Sequence, residues 1–117
     1  MKTDIAGIFY RCKLSDRKRS EFLIEVLKLQ ALPKSLQNIA DSTTVGVPFA
    51  NFSIRNTPIC VRRLESGIQI YPDIQDYNQE IKNLMKEIHE RAQTYFKRMG
   101  IVHRSLSERS LELQFFY

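Results

Sequence analysis

The sequence predicts an α+β fold: an antiparallel sheet with two helices on one face, in the ferredoxin-like (split βαβ) order β-α-(insertion)-β-β-α-β. Three observations predict it. Apolar residues alternate with polar ones near the start, the middle and the end of the chain, as in half-buried strands. Two segments repeat their apolar residues every three to four positions, as in helices packed on a core. The 117 residues suffice for one core, so residues 1–117 read as a single domain with an irregular insertion at about 33–58.

The first strand runs from about Ile5 to Leu14. Ile8, Tyr10, Cys12 and Leu14 share one face; Phe9, Arg11 and Lys13 share the other. A helix follows, capped by Ser15 or Asp16, with an apolar face of Phe22, Leu23, Val26 and Leu27 that continues toward Ala31. Pro33 is its expected stop. Arg17, Lys18 and Arg19 fall at the positive end of this helix dipole, where cations are disfavoured. Stability does not ask for them there, which makes them candidates for binding or solubility.

Pro33, Gly46, Pro48 and Pro58, with Ser, Thr and Asn between them, mark the insertion. A hairpin from Pro58 to Tyr71 comes next, turning at Ser66-Gly67 because Gly accepts positive φ without steric cost. A two-residue loop there pairs Arg63 with Ile70 and puts Ile59, Val61, Ile68 and Ile70 on one face.

The clearest element is a long amphipathic helix from about Ile74 to Met99. Asp73 or Asp76 is its expected cap, Gly100 its stop, and Glu87–Arg91 an i,i+4 ion pair. Its stripe passes through Leu84, Ile88 and Ala92 in steps of four, which suits one helix on a broad core and not a coiled-coil seam. Such a helix is about 40 Å long, so its end near Tyr95, Phe96 and Met99 is expected to overhang the sheet. The chain closes with a short strand near Ile101–Arg104, a turn near Ser107 and a strand from Ser110 to Tyr117.

Composition bounds the function. Charged residues are 26% and hydrophobic residues 43%, which argues against disorder. The net charge is +5, and residues 1–34 hold eight Lys/Arg against four Asp/Glu. That concentration favours an acidic protein surface or a phosphate backbone as partner. No apolar run approaches the ~18 residues of a membrane span, so no membrane partner is expected. No apolar segment follows Met1, and Cys12 and Cys60 stand far apart, outside any CxxC. The expectation is free thiols in a reducing, cytoplasmic setting.

Catalytic and cofactor motifs were sought by chemistry. No P-loop, GxGxxG or GxSxG is present, and no cofactor or metal is expected. His89 and His103 lie on different elements, with His89 expected on the solvated side of the long helix. A Cys12 or Cys60 nucleophile beside His103 requires only that they meet in space, but buried, inert cysteine is the commoner state.

The most informative constellation is the sheet face away from the helices. It is expected to carry Phe9, Arg11 and Lys13, then Cys60, Arg62 and Leu64, then Gln69 and Tyr71, then Glu112, Gln114 and Phe116. Aromatics with cations on an open sheet can stack bases and hold phosphates, or dock a protein. The candidate binding residues are therefore Phe9, Arg11, Lys13, Arg17, Lys18, Arg19, Arg62, Tyr71 and Phe116. The function expected is a small non-catalytic protein-interaction or regulatory (adaptor) domain that self-associates or binds a protein partner through this face or the long helix. The alternatives are RNA or single-stranded nucleic-acid binding through the same face, and a small enzyme with no identifiable site.

Overall fold

A computed structural model of the chain describes residues 7–40, 49–64, 66–74, 78–109 and 112–115. The elements in order are β1 (Gly7–Cys12), α1 (Asp16–Val26), α2 (Lys34–Ala40), β2 (Phe49–Ile54), β3 (Thr57–Leu64), β4 (Gly67–Pro72), α3 (Gln79–Met99), β5 (His103–Arg109) and β6 (Glu112–Phe115). The strands form one six-stranded sheet in the order β2-β3-β4-β1-β5-β6, every neighbouring pair antiparallel. This is the α+β class expected, with a third helix and two edge strands, β2 and β6, beyond the expected elements.

The core forms where the helices meet the face carrying Tyr10, Val61, Ile68 and Ile70. Phe22 and Leu23 of α1, and Leu84, Ile88, Ala92, Tyr95 and Phe96 of α3, cover it and are almost fully buried. At its centre the rings of Tyr10, Phe22, Tyr95 and Phe96 pack edge-on, tilted and stacked, with Phe22 and Phe96 centroids 5.0 Å apart. The helix on Ser15 is capped as its sequence suggests: the Ser15 hydroxyl accepts from the Lys18 amide at 3.2 Å.

Several expectations are corrected. α1 does not run on toward Ala31. Lys28 adopts φ 56, its amide donates to the Glu25 carbonyl, and the Leu29 amide donates to Ile24 at 2.8 Å. This is a Schellman ending without glycine, held because Leu29 packs against the core. Arg91 of α3 reinforces the same end, its Nε donating to the Val26 carbonyl at 2.8 Å.

The 33–58 stretch is not irregular throughout. Leu36, Ile39 and Ala40 bury one face of α2, and Phe52 and Ile54 of β2 pack against the core. Arg55 and Asn56 both have positive φ and join β2 to β3 in a tight turn, with Ile54 opposite Thr57. The Arg55 guanidinium donates to Glu87 at 2.6 Å, tying this turn to α3.

The β3–β4 hairpin is offset by two residues from the expected register: Leu64 pairs with Gly67 and Arg63 with Ile68. A slip of two preserves the faces, so Ile59, Val61, Ile68 and Ile70 still share one side. The position of Gly67 accounts for it. A Cβ there would lie 1.9 Å from the Tyr10 carbonyl, so Gly67 serves close approach of β1 and not the turn itself.

α3 begins at Gln79, capped by the Asn78 side chain, which accepts from the Ile81 amide at 2.9 Å. Asp73 and Ile74 precede the helix, and Asp76 lies outside the described residues. At 21 residues α3 spans about 32 Å, and Tyr95 and Phe96 are buried at its end, so the expected overhang of these rings is not found. Gly100 closes the helix at φ 66, as expected.

β5 continues through Ser107, which pairs with Ile8, so no turn falls there. The register of β5 with β6 sets Leu113 and Phe115 on the Phe9 side and Glu112 and Gln114 on the Tyr10 side, opposite to expectation.

Candidate functional site

The sheet face away from the helices is ordered in rows by its register. One row runs Arg62–Gln69–Phe9–Leu106–Phe115, and the next toward the β3–β4 turn runs Leu64–Gly67–Arg11–Arg104. The rows separate the expected residues into two groups. Phe9, Cys60 and Gln69 are buried, at 4%, 3% and 3% exposure, so this part of the face is not an open platform for bases. The Gln69 Oε1 is buried without a hydrogen-bond partner. Tyr71 is half-buried beside Gly7, whose Cα has no room for a Cβ against the Tyr71 Cβ. Phe116 lies outside the described residues.

The second group is cationic and exposed. Arg11, Lys13 and Arg62 reach the surface and have no acidic partner among the described residues. Arg11 stands directly across from Arg104, and like charges in that relation cost stability. Arg11 and Lys13 border a groove of about 730 Å³ with Cys12, Ser66, Ile101 and Val102. Val102 is 90% exposed, the most exposed large apolar side chain described. Sequence reasoning missed it. The signal was two apolar residues directly after the Gly100 helix stop, which were assigned to a strand; β5 instead starts at His103.

The basic run on α1 does not join this group. Arg17 pairs with Glu21 at 3.4 Å. Arg19 is largely covered and donates to Asp16, to the Ala40 carbonyl at 2.8 Å and to the Leu14 carbonyl at 2.7 Å. These bonds offset the unfavourable helix dipole and tie α1 to the ends of β1 and α2, so Arg19 is a structural cation. The Lys18 carbonyl accepts from the Tyr95 hydroxyl at 3.2 Å, and the Lys18 side chain is left for solvent.

The thiol and imidazole groups are also placed. Cys12 and His103 face each other across β1 and β5. The Cys12 thiol lies 3.6 Å from the Tyr10 carbonyl, and burial pushes its pKa up to about 11 against the pull of Arg19. It is therefore a thiol at neutral pH and a poor nucleophile. His103 stacks on Phe96 at 4.2 Å. Cys60 is buried on the other side of the sheet.

His89 is not on the solvated side of α3. It is half-buried, stacks on Tyr10 and accepts from or donates to the Tyr10 hydroxyl through Nδ1 at 3.0 Å. Burial lowers its pKa, and the nearby His103 acts in the same direction. Burial likewise holds the Tyr10 phenol in its protonated form, so Tyr10 is the donor and neutral His89 the acceptor.

Among the described residues no cluster of His, Cys, Asp or Glu is arranged to hold a metal ion, and no helix is long and apolar enough to cross a membrane. The chain matches no protein-family model, no curated protein and no solved structure, so its function is argued from its own residues.

Proposed function

We propose that this is a protein-interaction domain that docks an acidic segment of a partner in the groove between the end of β1 and the α3–β5 connection. The carrying observation is the exposed Val102 beside the unpaired cations Arg11 and Lys13. An apolar contact bordered by charge suits a peptide with an apolar residue flanked by carboxylates. Burial of Phe9 supports a protein over a base-stacking strand as the occupant. The scaffold reading is ferredoxin-like, supported by the order of the four inner strands, β3-β4-β1-β5, with β2 and β6 added at the edges. Free cysteines suit a reducing, cytoplasmic setting.

The test is capture from host lysate on the immobilised protein, comparing wild type, Arg11→Glu, Val102→Glu and the distant Lys97→Glu. Loss of a nuclease-resistant acidic protein with the first two variants and its retention with Lys97→Glu supports the reading. A ligand destroyed by ribonuclease moves the domain to the nucleic-acid class. Retention by Arg11→Glu and Val102→Glu takes the interface off this groove.

A further inference from the structure

The six strands differ in charge in a way that their places in the sheet do not explain. β1, β3, β5 and β6 each carry at least one Arg or Glu. Only β2 (FANFSI) and β4 (GIQIYP) carry no charged side chain. For β4 the reason is plain, since it lies inside the sheet between β3 and β1. β2 is at the edge, with a strand on one side only among the described residues. Edge strands are normally blunted by a charge, a proline, a bulge or shortness. β2 has none of these. It pairs with β3 over six consecutive residues without a bulge, and its own sequence lacks both Pro and Gly. The other edge strand, β6, is shorter and holds Glu112. β2 therefore has the composition of an interior strand at an edge position.

We infer that β2 is an interior strand in the assembled protein and that its partner is β2 of a second copy, paired antiparallel to extend the sheet across a two-fold axis. An open backbone edge asks for another strand, and the sequence of β2 fits itself. An axis at Phe52 sets Ala50 opposite Ile54 of the second copy and Asn51 opposite Ser53 of the second copy. Like then meets like on both faces: apolar on the helix side, neutral polar on the other. Registers offset by one residue would mix the faces. An axis perpendicular to the sheet keeps the helices of both copies on one side, where α2 packs beside β2. Phe52 and Ile54, only half-buried in one copy, gain further cover. Neutrality matters because each chain carries +5, and a pairing along an uncharged strand brings no cation against cation. The pairing is isologous, so it closes at two copies and does not propagate.

The groove at Arg11 and Val102 plays no part in this contact, and the two readings stand or fall separately. The test is the solution mass of the full chain by light scattering at several concentrations and at low and high salt. The expected result is twice 13.8 kDa, little changed by salt, and a mass of 13.8 kDa for Ser53→Lys, which places a charge on the edge, with an unchanged circular dichroism spectrum. Hydrogen exchange on wild type reads the same contact without a variant: amides of β2 should gain protection as concentration rises. A wild-type chain that stays at 13.8 kDa at the highest concentration reached overturns the inference, as does a dimer whose β2 amides exchange independently of concentration.

Discussion

The Tyr10 hydroxyl donates to Nδ1 of His89 at 3.0 Å, joining the middle of the sheet to the middle of α3. The rings also stack, with centroids 5.8 Å apart. The bond requires a neutral imidazole. Its folded-state pKa lies below the ordinary 6.5, chiefly through burial, with His103 adding to the shift and Glu90 opposing it. The unfolded chain therefore takes up a proton before the folded one. The contribution to stability is fully present above about pH 6.5 and is lost as pH falls through 6.5 toward the lower folded value. Thermal melts should show stability declining over that window. His89→Gln, which keeps an acceptor without a titrating group, should flatten the decline.

The aromatic cluster carries much of the packing. Phe22 is fully buried and meets Tyr10, Tyr95 and Phe96. Phe22→Ala should cost about 3–5 kcal/mol, transfer and cavity terms together. In a urea titration the midpoint should drop with little change in slope, as for a folded protein weakened at one site.

The start of α3 rests on Asn78. Asn78→Ala should cost about 1 kcal/mol, because the Ile81 amide loses its partner. Asp73→Ala should stay within about 0.5 kcal/mol, since Asp73 is exposed and precedes the helix. Chemical denaturation of the two variants decides between these residues as the cap.

Cys12 should be slow to react. With its pKa pushed to about 11, two units above the ordinary thiol, alkylation at neutral pH should run about a hundredfold slower than for an exposed cysteine. Labelling in urea should restore the normal rate. Rapid labelling of the folded protein would reopen Cys12, across from His103, as a nucleophile.

The long-period signals were legible in the sequence and the local exceptions were not. The stripe from Ile81 to Phe96, the Ser15 cap and the shared face of Ile59, Val61, Ile68 and Ile70 all follow from spacing. The end of α1 and the β2–β3 turn stayed hidden because Lys28, Arg55 and Asn56 take positive φ where glycine is the usual marker. The Asn78 cap was masked by two nearby aspartates of equal capping ability. Of the candidate binding residues, Arg11, Lys13 and Arg62 are exposed and unpaired, as a binding role needs. Arg19 could not be told from a binding cation, because its carbonyl partners on Leu14 and Ala40 are set by tertiary folding. Phe9 could not be told from an exposed aromatic, because strand alternation gives a face and not what covers it.

The central claim is that the Arg11–Val102 groove is where a protein partner sits. Hydrogen exchange of the chain alone and in its captured complex tests it most directly. The account predicts new protection in the β1 end around Arg11 to Lys13 and in the Ile101–His103 segment, abolished together with binding by Arg11→Glu. Protection confined to the exposed side of α3, with the β1 end unchanged, would contradict it.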